Sequence, residues 1–171
     1  MRTVFVALCM CVLGTTAHSA DLLPGMRLEL SSTDGKTKDI HTSPRVALRV
    51  LKGAAPSALL KPGAYQANWT GALRLESRSR LYFKFVGKGE ASLTVNGEVA
   101  VEAKGDDLSS VESKRLRLNP GDVPIVIQYK SPADGDGQVR LFWKGREFSW
   151  EPVPDTVLVH ASDDARWHRI V

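Results

Sequence analysis

Apolar and polar residues alternate with a period of two along much of the chain. In the run from Arg45 to Leu51, Val46, Leu48 and Val50 fall on one side; around Trp69 the matching set is Trp69, Leu73 and Leu75. Leu81, Phe83 and Phe85 form the next set, followed by Ile125, Ile127 and Tyr129, and by Val139, Leu141 and Trp143. Successive side chains of a strand point to opposite faces, so each run predicts a half-buried β-strand. Turn chemistry separates the runs. Asp34-Gly35 and Asn96-Gly97 predict two-residue hairpins of type I′, which needs residues that tolerate positive φ. Asn119 to Asp122, Pro132 to Gly137 and Pro62-Gly63 are further breaks. Gly87-Lys88-Gly89 reads as a loop that bends the chain before the next strand. No long stretch carries helical periodicity. Short strands at this spacing predict an all-β fold, an antiparallel β-barrel or sandwich, as one domain over residues 21–159 with a C-terminal tail over 160–171.

The first twenty residues depart from this pattern. Arg2 precedes an apolar run from Val4 to Leu13 and a stretch of small residues ending at Ala20. That is the layout of a secretory signal peptide, too short for a comfortable membrane span, and it predicts an exported protein with no stable membrane insertion. Both cysteines, Cys9 and Cys11, lie within the apolar run, so cleavage after Ala20 leaves no disulfide, no thiol catalysis and no cysteine-held metal or haem. Losing Arg2 lowers the formal charge from +4 to +3, a weaker excess than nucleic-acid binders carry. Basic residues such as Arg45 and Arg49, Arg115 and Arg117, and Arg140 and Lys144 alternate with apolar ones. They are expected on solvated outer strand faces, not in a polyanion site.

Residues 67–101 and 114–145 resemble the PA14 (PA-fourteen, protective-antigen-type) domain, a β-barrel module. The resemblance rests on Trp69-Thr70-Gly71, the strand within Leu81 to Phe85, the turn at Val95-Asn96-Gly97, then Leu118, Gly121, Ile127 and Tyr129, and finally Leu141-Phe142-Trp143. It covers roughly residues 22–159 and looks most like the variant found ahead of c-type cytochrome domains in exported bacterial proteins. No Cys-x-x-Cys-His follows in this sequence. The resemblance therefore implies either an accessory module for a glycan or another exported protein, or the structural N-terminal part of a truncated or split cytochrome protein. Calcium-dependent sugar-binding members of the family carry two adjacent aspartates that fall here near Lys88 and Gly89. Lysine offers only donors and glycine has no side chain, so the family's usual calcium site is expected to be missing.

Other candidates follow from residue chemistry. Asp106-Asp107 supplies two carboxylates beside Ser109 and Ser110, short of the oxygen count calcium needs; the expected role is capping a turn before Leu108. The stretch Ala133 to Gly137 lacks an EF-hand's spacing and terminal glutamate and reads as a hairpin connection. Trp69 and Trp143 are in phase with core residues, whereas Trp150 serves equally as a sugar-stacking ring or as a cover for an open barrel end. Downstream of the leader, histidine occurs at His41, His160 and His168, and neither a nucleophile elbow nor a metal-binding His-Glu-x-x-His is present. The chain is thus expected to be a monomeric, non-catalytic binding module without a cofactor or metal, with Asp106, Asp107, Trp150 and Lys88 as its candidate ligand-binding residues.

Overall fold

The computed structural model describes residues 21–133 and 136–162; the predicted leader, the Asp134-Gly135 tip and the stretch with Trp167 and His168 lie outside them. Twelve strands form: β1 (Leu22–Pro24), β2 (Met26–Ser32), β3 (Lys38–Ser43), β4 (Ala47–Val50), β5 (Tyr65–Leu75) and β6 (Ser79–Val95). They continue with β7 (Glu98–Gly105), β8 (Leu116–Leu118), β9 (Gly121–Lys130), β10 (Gly137–Lys144), β11 (Glu151–Pro152) and β12 (Leu158–Ala161). All pairings are antiparallel, and they link into one sheet in the order β1-β12-β5-β9-β6-β10-β11. β2 joins β5 and carries β3, β7 and β8 flank β6, and β4 flanks β10. The described residues contain two short 3-10 turns, Leu108–Ser110 and Asp155–Val157, and no α-helix.

The expected inward residues make the core. Trp69, Phe83, Phe85, Leu93 and Ile127 are fully buried, and Tyr65, Ile125, Tyr129 and Leu141 nearly so. Their contacts bring together the inner faces of the curled sheet, the arrangement that period-two patterning selects when one face is buried. Asn96-Gly97 forms the predicted turn: Asn96 has φ 52° and Gly97 φ 82°, as type I′ requires.

Several expectations need correction. The Asp34-Gly35 connection is longer than two residues, because Ser32 N donates to Thr37 O (3.0 Å) and the next pair is Ser31 with Lys38. The Asp34 carboxylate accepts from Ser32 Oγ (2.6 Å) and Lys36 N (3.1 Å), a side-chain-stabilised turn in place of a I′ turn. Gly87-Lys88-Gly89 is not a loop. It lies inside β6, whose 17 residues run from one half of the sheet into the other. Up to Lys88, β6 pairs with β10 and β8; from Gly89 onward it pairs with β7 and β9. The change of partners needs a kink, and Gly87 (φ 138°) and Gly89 (φ 124°) provide it. The sheet also outruns the expected domain end at 159, since His160 and Ala161 pair with Leu23 and Leu22. His160 is buried, its Nδ1 3.1 Å from Gly25 O and its Nε2 3.3 Å from Thr42 Oγ1.

Candidate functional site

The outer face of the β6–β10 pair gathers most of the chemistry. Directly paired residues of an antiparallel ladder share a face. Since Phe83, Phe85, Leu141 and Trp143 point inward, their neighbours Tyr82, Lys84, Phe142 and Lys144 point out. The register sets Tyr82 opposite Lys144 and Lys84 opposite Phe142. Rings and cations therefore alternate along and across the strands.

Trp150 completes the cluster. After Lys144 the chain reverses, helped by Gly145 N donating to Phe148 O (3.3 Å). It returns as β11, which pairs Glu151 with Trp143. Trp143 Nε1 donates to Glu151 Oε1 (3.2 Å) and the Trp143 ring packs on Phe148 at 5.2 Å, fixing the reversal from beneath. Trp150, one residue earlier, is thereby set beside Lys144. Lys84 Nζ lies 4.4 Å from the Trp150 ring centre and Lys144 Nζ 4.6 Å. Lys144 is also 4.9 Å from the Tyr82 ring, and Arg140 lies 5.7 Å from that of Phe142. These are cation–π distances. Glu112 closes the rim, bridging to Lys84 through the backbone and lying 3.8 Å from Lys144 Nζ. Its segment is tied to β6 by Ser113, whose Oγ accepts from Phe83 N (2.8 Å).

The four residues expected from sequence meet different fates. Trp150 is half-buried in this cluster. Lys88 is on the same strand four residues beyond Lys84, and its Nζ donates to Asp136 Oδ2 (2.7 Å). That hydrogen bond holds the Asp136 carboxyl below its ordinary range. Asp107 accepts from Ser109 N (2.9 Å) and Ser109 Oγ (2.6 Å), capping the 3-10 turn as expected. The Ser109 hydroxyl, with lesser help from its amide and from Lys84, holds the Asp107 carboxyl low. Asp106 lines a separate open groove of about 390 Å³ together with Tyr65, Glu90, Lys104 and Lys130. The two adjacent aspartates thus do not act as a pair. Among the described residues, no group of three or more His, Cys, Asp or Glu side chains is placed to hold a metal.

Sequence reasoning missed Tyr82, Lys84, Phe142 and Glu112. Their signal was present as the outward half of the same alternation that named the core, but partners about sixty residues apart are joined only by the β6–β10 register.

No protein-family model and no curated protein matches the sequence. Solved structures do. A TM-score of 0.68 at 19% identity relates it to an anti-sigma factor domain-containing protein, covering 81% of this chain and 48% of that one. The chain thus spans about half the length of the first solved structures it matches. The PA14 domain of the MpAFP antifreeze protein gives 0.66 at 10% identity, over 82% of this chain and 92% of that one. The PA14 sugar-binding domain from an RTX adhesin gives 0.61 at 12%, over 81% and 99%. The epithelial adhesin 6 A domain from Candida glabrata, in complex with Galβ1-3GlcNAc, gives 0.63 at 10%, over 85% and 91%. With this strand order and these neighbours, the described chain has the fold of a PA14-type domain.

Proposed function

We propose that the protein is an exported, non-catalytic carbohydrate-binding module whose contact surface is centred on Trp150. The observation that carries this reading is the half-exposed Trp150 ring flanked by Lys84 and Lys144 and neighboured by Tyr82. An aromatic face presents an apolar plane to the C–H side of a sugar ring, and the ammonium groups held over it can move aside to donate to hydroxyls. The likeness in fold to a sugar-binding domain and to an adhesin solved with a disaccharide supports the same reading.

Binding through this surface proceeds without calcium. Support comes from Lys88, which engages Asp136 with its ammonium, and from Asp107, which is used as a cap.

The test is a glycan panel presented to the purified protein, first with calcium and then with chelator. The expected result is binding that survives chelation and falls about tenfold or more in Trp150→Ala, the loss typical of an aromatic anchor. No binding to any glycan overturns the module reading. Binding abolished by chelator overturns its calcium independence.

A further inference from the structure

The Trp150 cluster sits within a larger basic surface. On the same outer face Arg80 of β6 is directly opposite Arg117 of β8. Farther along, Arg140 stands opposite Val86, and Gln138 stands between Lys88 and Arg49 on its two neighbouring strands. Like charges directly opposite one another weaken a sheet, so Arg80 facing Arg117 is an arrangement that stability alone does not favour. Elsewhere the pattern differs. Around β2, β5, β7 and β9, cations are matched by acids, as in Lys38 with Glu29, Arg74 with Asp122, and Lys104 with Glu90. On the basic face Lys88 and Lys144 meet Asp136 and Glu112, but Arg80, Arg117 and Arg140 form no ion pair among the described residues. The excess positive charge of a nearly balanced chain is thus concentrated on one face, with rings set among the cations.

We propose that this face binds an acidic polysaccharide built of uronate units, a conclusion that rests on the carbohydrate-module reading and assigns its ligand class. A sugar stacking on Trp150 must displace ammonium groups already held over the ring. A uronate offsets that loss, because its carboxylate accepts from the displaced ammoniums. That carboxylate lies at the edge of the sugar ring and leaves its C–H face free to stack, while the lysines move aside and turn their donors to the charge. Sulfate esters instead crowd several positions around a ring and hinder stacking. From Arg80 to Lys88 the cations extend about 26 Å along β6, enough for several linked sugar rings. Glu112, beside Lys144, repels a carboxylate on its side and directs the chain toward Arg140.

The test compares polygalacturonate, neutral dextran, dextran sulfate, duplex DNA and phosphatidylserine vesicles as ligands for the purified protein. Each is measured at about 0.05 M and about 0.5 M salt, because screening between exposed charges tightens over that range. Polygalacturonate is expected to bind best and to weaken about tenfold or more at the higher salt. Arg80→Gln and Arg140→Gln, exposed changes checked by unchanged thermal unfolding, should each weaken it severalfold, while Lys104→Gln on the paired side leaves it unaltered. Stronger binding of dextran sulfate, DNA or vesicles overturns the uronate assignment, as does indifference to both arginine changes. A neutral glycan that binds through Trp150 while polygalacturonate does not overturns this inference and leaves the module reading intact. Failure of every glycan removes both.

Discussion

Gly87 and Gly97 both hold positive φ, yet they carry different constraints. A Cβ on Gly97 meets nothing within 4 Å, whereas one on Gly87 falls 2.0 Å from Gln138 O and 2.6 Å from its carbonyl carbon. The turn glycine needs only a backbone conformation; the strand glycine needs that and the absence of a side chain. Gly97→Ala should therefore cost about 1 kcal/mol, the usual penalty for a left-handed alanine. Gly87→Ala should cost about 3 kcal/mol, since neighbouring backbone must also move. Urea unfolding of the two variants separates these outcomes, and equal losses would refute the distinction. The same contrast explains why the kink was unreadable from sequence. Glycine flanking a lysine looks like a loop whether it ends a strand or lets a strand cross under a neighbour.

The segment after β7 shows how an irregular stretch is positioned by one polar side chain. Ser113 accepts from Phe83 N through its hydroxyl and donates its own amide to Phe83 O, both at 2.8 Å, continuing the β6 ladder where no regular strand runs. Ser113→Ala leaves the buried Phe83 N–H without that acceptor, a loss of about 1–3 kcal/mol. It also removes one of the ties that hold the Glu112 segment against β6. Thermal unfolding should show the loss, and a nitrogen-15 NMR spectrum should localise its shifts to β6 and the Glu112 segment. At this scale much of the fold was legible: alternation named the inward residues of β5, β6, β9 and β10, and Asn-Gly named the β6–β7 turn. The candidate surface was half legible. Arg140 and Lys144 were placed outward, though as a solvated face only; the convergence of Lys84 and Lys144 on Trp150 comes from a strand register and a chain reversal that local patterning does not encode.

For the molecule as a whole, Tyr65 and Tyr129 tie core stability to pH. Their rings lie 6.0 Å apart, and the Tyr129 hydroxyl donates to Lys88 O (2.7 Å) at the β6 kink. Burial, above all, pushes the Tyr129 phenol up to about 12 and raises Tyr65 further. Both folded values exceed the unfolded value of about 10. The neutral phenols therefore contribute stability that is fully present below about pH 10 and is lost as pH rises toward about 12 and beyond. Circular dichroism across that interval should show unfolding accompanied by tyrosinate absorbance near 295 nm. Tyr129→Phe removes one of these titrations and should flatten the decline. A pH-independent melting temperature from pH 9 to 12 would contradict the assignment.

The shared strand β6 has a mechanical consequence. Its first half carries the basic, ring-studded face and its second half lies between β7 and β9, so a pull on that face loads a backbone anchored in both parts of the sheet. Force spreads laterally through the hydrogen bonds on either side of the kink. Such a layout would pass a load on the proposed sugar-contact face into both parts of the sheet.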